Sequence, residues 1–372
     1  MKVAFVTNLS THYVKQLFEI LSGQHDIDFY FTGGYEQYWN KGNRAVPGNF
    51  KSHYLNGLML GEKFKLTPAL FALPFKGYEA YVKTIDDRFA LLATFSIAKL
   101  TFKPFILWAG LWHHPKKGVH RLTQPLMNFI YRHSNAVVVY GEHIKRYLVG
   151  SGVDPKRIFV APHAVDNSQF DQKYSSLEKE SIRKSLGLMA GPVVLFVGRL
   201  EECKGVDYLF DAFKKISDPD VNLIVVGNGP KKEELSQAKQ GLKVHCHMVD
   251  HVLNEELRKF YAIADIFILP SITTDDFKEP WGLVVNEAMN QGCVVVATDA
   301  VGAAAGGLIE NGVTGFVVPE RNSDAILSAV QKLLKDDLMR DRMGRASKEK
   351  IVSWTHEKMA ENFFQAFELV RR

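Results

Sequence analysis

Short apolar runs alternate with stretches of helical period along the whole chain. Lys2–Thr7, Ile27–Phe31, Phe105–Ala109, Ala136–Tyr140 and Arg157–Ala161 read as strands in the first half. In the second half, Val193–Val197, Leu223–Val226, Lys243–Met248, Ile266–Leu269 and Val294–Ala297 do so. Thr11–Leu21, Phe89–Leu100, Leu122–Tyr131 and Ile144–Leu148 read as helices. Strands that are apolar on both faces need cover on both sides, and interleaved helices supply it in α/β folds with parallel sheets. A length of 372 residues is more than one core usually holds, so two such domains are expected. Asn167–Ser185 reads as a polar connection between them. Thr355–Arg371 reads as a last helix with Met359, Phe363, Phe364, Phe367 and Val370 at helical spacing. Gly33–Gly61 is expected to be loop, its Tyr35, Tyr38 and Trp39 available to pack or to stack on a sugar. Glycines 302, 306, 307, 312 and 315 suggest a second, flexible loop.

Residues 279–287, Glu-Pro-Trp-Gly-Leu-Val-Val-Asn-Glu, place two carboxylates on either side of a helix start. Pro280 disfavours helix at the residue before it, so Glu279 is expected on the loop, with the helix starting near Gly282 and ending at Gln291-Gly292. The unpaired N–H groups of a first helical turn suit an anion. A ligand with hydroxyls at two places and a diphosphate between them would satisfy all three features. Two solvated glutamates beside an ordinary helix is the plainer reading of the pair in isolation. Val193–Val197, however, runs into Gly198-Arg199-Leu200 and Lys204-Gly205, a buried strand feeding a cationic loop. Arg199 offers a planar fork and Lys204 a mobile point charge, and together they suit a departing diphosphate.

With these motifs in order along nearly the whole chain, the sequence resembles the retaining glycosyltransferases of family 4 (glycosyl transferases group 1). Val225–Pro230, with its Gly-rich turn, and Ala264–Ser271 resemble the strands that family places between the two motifs, and Ala161–Asp166 the segment that closes its first domain. The resemblance implies a GT-B fold: two Rossmann-like α/β domains with parallel sheets facing a cleft, at 1–170 for the acceptor and 171–352 for the nucleotide sugar, with 353–372 a helix returning to the first. It implies that Glu279 touches the transferred sugar, Glu287 the ribose, and Arg199 and Lys204 the diphosphate. Gly198, Val252, Trp281, Gly282, Leu283 and Val284 would complete the donor site. His113 and His114, just past the Phe105–Ala109 strand, are the acceptor-side catalytic candidates. The implied activity is transfer of a sugar from a nucleoside-diphosphate sugar to a glycan or lipid-linked acceptor. The leaving phosphate would take the acceptor's proton, with no cofactor and no metal.

Charge is divided unevenly. Residues 1–165 carry 20 Lys and Arg against 10 Asp and Glu, whereas 166–372 carry 26 against 31. Nine of the 13 histidines also lie in the basic half. No recognition helix, zinc finger or RNP-like strand accompanies this charge, so nucleic acid is not expected as a partner. An anionic membrane surface is, since Phe89, Leu91, Leu92, Phe95, Ile97, Phe102, Phe105, Trp108 and Trp112 are interspersed with Arg88, Lys99 and Lys103. The plainer reading of the apolar positions is a core helix at Phe89–Leu100 and a core strand at Phe105–Ala109. The N-terminus runs straight into a strand, and no run of about 18 apolar residues occurs. Together with three widely spaced cysteines, this points to the cytoplasm, at the inner membrane face. Asp218-Pro219-Asp220 and Asp26-Ile27-Asp28 match a D-x-D pattern but read as turn chemistry. Two other functions fit the sequence: a nucleotide-sugar 2-epimerase of the same fold, and a non-catalytic carbohydrate-binding protein.

Overall fold

The computed structural model describes residues 1–33, 47–60, 64–116 and 119–371. The chain divides into two compact units, Met1–Ala164 with Thr355–Arg372, and Val165–Trp354.

Among the described residues the first unit is built on a seven-stranded parallel sheet of β1 (Lys2–Thr7), β2 (Asp26–Phe31), β3 (Lys51–Tyr54), β6 (Ala80–Thr84), β7 (Phe105–Ala109), β8 (Ala136–Val139) and β9 (Ile158–Val160). Its order is β3-β2-β1-β6-β7-β8-β9, and a separate antiparallel pair is formed by β4 (Leu58–Leu60) and β5 (Phe64–Leu66). Alternation along β1 sends Ala4 and Val6 to one face and Val3 and Phe5 to the other. The first face is covered by the Arg88–Leu100 helix, through Leu91, Phe95 and Ile97. The second is covered by the His12–Gln24 and His356–Arg371 helices, through Leu17, Phe18, Met359, Phe363 and Phe367.

The second unit holds, among its described residues, a six-stranded parallel sheet of order β12-β11-β10-β13-β14-β15. Its strands are β10 (Val193–Val197), β11 (Asn222–Val226), β12 (His245–Val249), β13 (Ile266–Leu269), β14 (Val294–Thr298) and β15 (Gly315–Val318). Chain order reverses between β10 and β13, and a doubly wound sheet opens a ligand crevice at the carboxyl ends of such a pair.

Several expectations change. Asn167–Ser185 is not a bare connection but two helices, Asn167–Phe170 and Ser176–Ser185, the second started by a Ser175–Glu178 capping box. The unit boundary lies at 164/165 rather than 170/171, because Asn167 and Phe170 already bind the second unit: Asn290 Nδ2 donates to Asn167 Oδ1 at 2.9 Å and Gln291 Nε2 donates to the Phe170 carbonyl. The later boundary lies at 354/355, since Trp354 packs on Trp281. The glycine-rich stretch after 301 contains a short helix, Gly302–Ala305, and β15. β3 and β4 occupy part of the expected Gly33–Gly61 loop, and Tyr35, Tyr38 and Trp39 lie outside the described residues. The unexpected strand β6 carries Lys83, whose charge masks an otherwise apolar run.

Candidate active site

The loops that follow β10 and β13 in the second unit meet at Lys204 and Glu279. After β10 the chain turns through Gly198 and Arg199 into one 3-10 turn, Glu202–Lys204, which Gly205 ends at φ 64°. Gly205 is required here, because a Cβ would lie 1.9 Å from the Pro270 carbonyl oxygen, beside the end of β13. That close approach brings the Lys204 ammonium onto Glu279 Oε2, an ion pair whose side chains are 15% and 9% exposed. Ser271 Oγ donates to the same Oε2 at 3.1 Å, and the Phe277 ring lies 5.6 Å from the ammonium. Paired, hydrogen-bonded and nearly buried, the two charges hold each other at the mouth of the crevice.

Past Glu279, the Gly302 N–H donates to the Glu279 carbonyl at 3.1 Å and the Ala303 N–H to the Trp281 carbonyl at 2.7 Å, fixing the turn. Gly282 takes φ 90°, and the helix then runs over Val284–Asn290, two residues later than expected. Gly282, Leu283 and Val284 are half-buried at its start, while the rest of the helix is buried. A helix buried all round differs from the half-solvated one that the spacing suggested.

Two residues expected at the donor lie in the packing of this conformation. Glu287, expected on ribose, is 0% exposed and accepts the Tyr261 hydroxyl at 2.7 Å, so in this conformation its carboxylate belongs to the packing beneath the site. Trp281, expected on the donor, is buried too; its Nε1 donates to Asn286 Oδ1 at 2.8 Å and its ring stacks 6.3 Å from Trp354. Arg199, by contrast, is 62% exposed and pairs with Glu201 at 2.7 Å. Glu201 also accepts from the Cys203 thiol at 3.2 Å, and burial and that carboxylate push the thiol up to about 12. Val252 is half-buried in the loop after β12. The sequence reading overlooked Ser271 and Glu201, although each stands within two residues of a residue it did single out or at the end of a strand it did find.

The first unit has its own polar floor where chain order reverses, at β1 and β6. Lys83, fully buried, pairs with Asp86 Oδ1 and donates to the carbonyls of Thr84 at 2.9 Å and Asp86 at 2.8 Å. The Asn8 N–H donates to Asp86 Oδ2 at 3.2 Å. His113 and His114 are half-buried after β7, where Trp112 meets the His143 ring at 4.7 Å. His163 stacks on Tyr140 at 4.2 Å, and burial holds its imidazole down at about 3. The D-x-D candidates are otherwise engaged: Asp218 Oδ1 accepts from the Asp220 N–H at 3.0 Å, Asp26 pairs with Lys51, and Asp28 accepts the Tyr78 hydroxyl at 2.6 Å.

A family model described as glycosyl transferases group 1 matches residues 178–350. This segment belongs to that family. Arg199, Lys204, Glu279 and Glu287 all lie within the group 1 segment, and His113 and His114 outside it. Over 241 residues the chain is 27% identical to the alpha-D-kanosaminyltransferase of Streptomyces kanamyceticus, covering 63% of this chain and 61% of that protein. Over 183 residues it is 32% identical to the phosphatidyl-myo-inositol mannosyltransferase of Mycobacterium leprae, covering 48% and 47%. The structure of Anabaena Alr3699/HepE in complex with UDP matches at TM-score 0.77 and 17% identity, over 99% of this chain and 100% of that one. The fold is therefore GT-B, with a parallel sheet in each unit. The chain spans from 45 to 61% of the length of the first curated relatives it matches. Among the described residues, no helix is long and apolar enough to cross a membrane.

Proposed function

We propose that the chain is a retaining glycosyltransferase of family 4 that moves a sugar from a nucleoside-diphosphate sugar to a glycan or lipid-linked acceptor. The observation that carries this reading is the Lys204–Glu279 pair, backed by Ser271, at the crevice of a group 1 domain. The UDP in Alr3699/HepE and the lipid named in the mycobacterial relative support the two substrate classes.

In the proposed reaction Glu279 accepts hydroxyls of the transferred sugar. Lys204 and the more exposed Arg199 meet the diphosphate, with backbone N–H groups of Gly198, Gly282 and Leu283 on its oxygens and the Val252 loop against the base. The bond from the anomeric carbon to the phosphate oxygen breaks, and the acceptor oxygen bonds that carbon on the same face. The acceptor's proton passes to the departing phosphate, which leaves as nucleoside diphosphate. Lys204 and Arg199 stabilise the charge that grows on it, the largest electrostatic demand of the step. That charge is met by protein cations, so the reaction is expected to run without a divalent metal. Ribose contact by Glu287 requires a shift that uncovers it. In the first unit Asp86 and the His113-His114 segment are the groups for acceptor hydroxyls, and the basic surface of that unit is the side for an anionic membrane.

Incubation with UDP-, GDP- and ADP-sugars tests the reading. Release of nucleoside diphosphate by one donor class is expected; epimerised donor with its nucleotide still attached, or no reaction with any donor, would refute it.

A further inference from the structure

From Arg88 to Gly141 the sequence contains seven Lys and Arg and not one Asp or Glu. Much of this stretch builds one side of the first unit. There the 3-10 run Pro68–Lys76, also without a carboxylate, lies beside the Arg88–Leu100 helix, with the Phe71 and Phe89 rings 6.2 Å apart. The Val119–His133 helix flanks it, with Phe95 and Phe129 6.1 Å apart. Most apolar residues here turn inward: Leu91, Phe95, Ile97, Phe105 and Trp108 are buried, as a core helix and core strand require. Phe71 and Phe129 are partly exposed, and Phe75, Leu100 and Phe102 stand furthest out, 89%, 79% and 94% exposed.

Phe102 is the most telling of the three. It sits at φ 54°, just past the end of the Arg88–Leu100 helix, with its N–H on the Lys99 carbonyl and the Lys103 N–H on the Ala98 carbonyl at 2.9 Å. This left-handed position in a helix-terminating motif favours glycine, and an aromatic side chain there is strained. The neighbouring Pro68–Lys76 run ends on such a glycine, Gly77 at φ 71°. Packing does not compensate at Phe102, since the ring is bare. A bulky ring kept in a strained backbone and in water indicates a contact outside the chain.

We propose that this face docks on an anionic lipid bilayer, with Phe75 and Phe102 entering the boundary between headgroups and acyl chains and Lys99 and Lys103 meeting anionic headgroups. Isolated rings among cations fit a lipid surface, and the carboxylate beside Phe75, Glu79, is already held by the Lys2 N–H at 2.5 Å. A protein partner would be expected to meet a face carrying both signs of charge. A second copy of the chain would set this face against itself and bring like charges together. The proposal deepens the reading of a lipid-linked acceptor and rests on that reading for its purpose, though docking itself needs no donor.

The test is sedimentation of the full chain with phosphatidylcholine vesicles, with and without phosphatidylglycerol, at low salt. Melting temperature, oligomeric state and vesicle-free nucleotide release are measured alongside. The protein is expected to pellet only with anionic vesicles and to be released by salt. Phe102→Gly removes the strain, so it should melt no lower than the parent and yet bind several-fold more weakly. Phe75→Ser with Phe102→Gly should bind more weakly still. Lys99→Glu with Lys103→Glu should lose about tenfold or more, with nucleotide release unchanged in every variant. A parent protein that stays in solution with anionic vesicles overturns the proposal, as does equal binding by the variants. So does a parent dimer that Phe102→Gly converts to monomer, which would show a second copy on this face. Vesicle binding without nucleotide release by the parent would instead refute the transferase reading and leave the docking intact.

Discussion

The Lys204 ammonium and the Ser271 hydroxyl converge on one oxygen of Glu279, Oε2. Ser271 is fully buried, so its hydroxyl acts on substrate only through that carboxylate. Ser271→Ala should cost about 1 kcal/mol of stability. If Glu279 orients the sugar, the variant should also lower kcat about tenfold, by leaving the carboxylate free to rotate. Steady-state kinetics over a range of donor concentrations checks this, and a change in KM alone would contradict it.

Gly205 ties the Lys204 turn to the end of β13. Gly205→Ala would combine a left-handed alanine with a clash on the Pro270 carbonyl. It should destabilise by about 2 kcal/mol or more and slow transfer by displacing Lys204. Gly187 has a similar φ of 62° but open space around it, so Gly187→Ala should cost only about 1 kcal/mol and leave turnover alone. Denaturant midpoints and turnover of the two variants, compared side by side, decide whether the close approach matters.

Trp281 was expected on the donor and is found in the packing with Trp354. Trp281→Ala should therefore destabilise by about 3–5 kcal/mol, and the milder Trp281→Phe should keep the KM for donor near that of the parent. A large KM rise in a stably folded Trp281→Phe would return the ring to the donor site.

Acid should loosen the first unit. His163 is held near 3 by burial, and His12 and His25 are lowered for the same reason. A folded-state value below the unfolded 6.5 means that the unfolded chain binds the proton first. Above pH 6.5 both states are neutral and nothing is lost. Between 6.5 and about 3 His163 removes up to about 1.4 kcal/mol per pH unit, and His12 and His25 act in the same direction. Melting temperature against pH should fall below 6.5, and His163→Gln should make the fall shallower; an unchanged slope would show that His163 is protonated in the fold.

The second unit was the more legible part of the sequence, and the reasons are physical. Apolar strands with polar turns at their ends mark β10, β11, β13 and β14 without ambiguity. Pro280 keeps Glu279 off the helix, and no spacing rule shows that an ammonium 75 positions earlier closes on it. Exposure was the harder property to read. Glu287 and Trp281 look available in a motif that suggests a half-solvated helix, yet the Val284–Asn290 helix is buried after its first residue. In the first unit Lys83 hid β6, because a buried lysine satisfied by Asp86 and two carbonyls breaks an apolar pattern without breaking the strand. The capping box at Ser175 and Glu178 was visible and would have found the helix placed in the connection.

Nucleoside diphosphate released from the preferred donor in the presence of acceptor, by the parent chain and by Lys204→Ala, tests the central claim most directly. The Lys204–Glu279 centre predicts release by the parent and a loss on the order of 100-fold in the variant, comparable with removing one transition-state donor, with both proteins folded and active equally with or without a chelator. Equal turnover by parent and Lys204→Ala would contradict it.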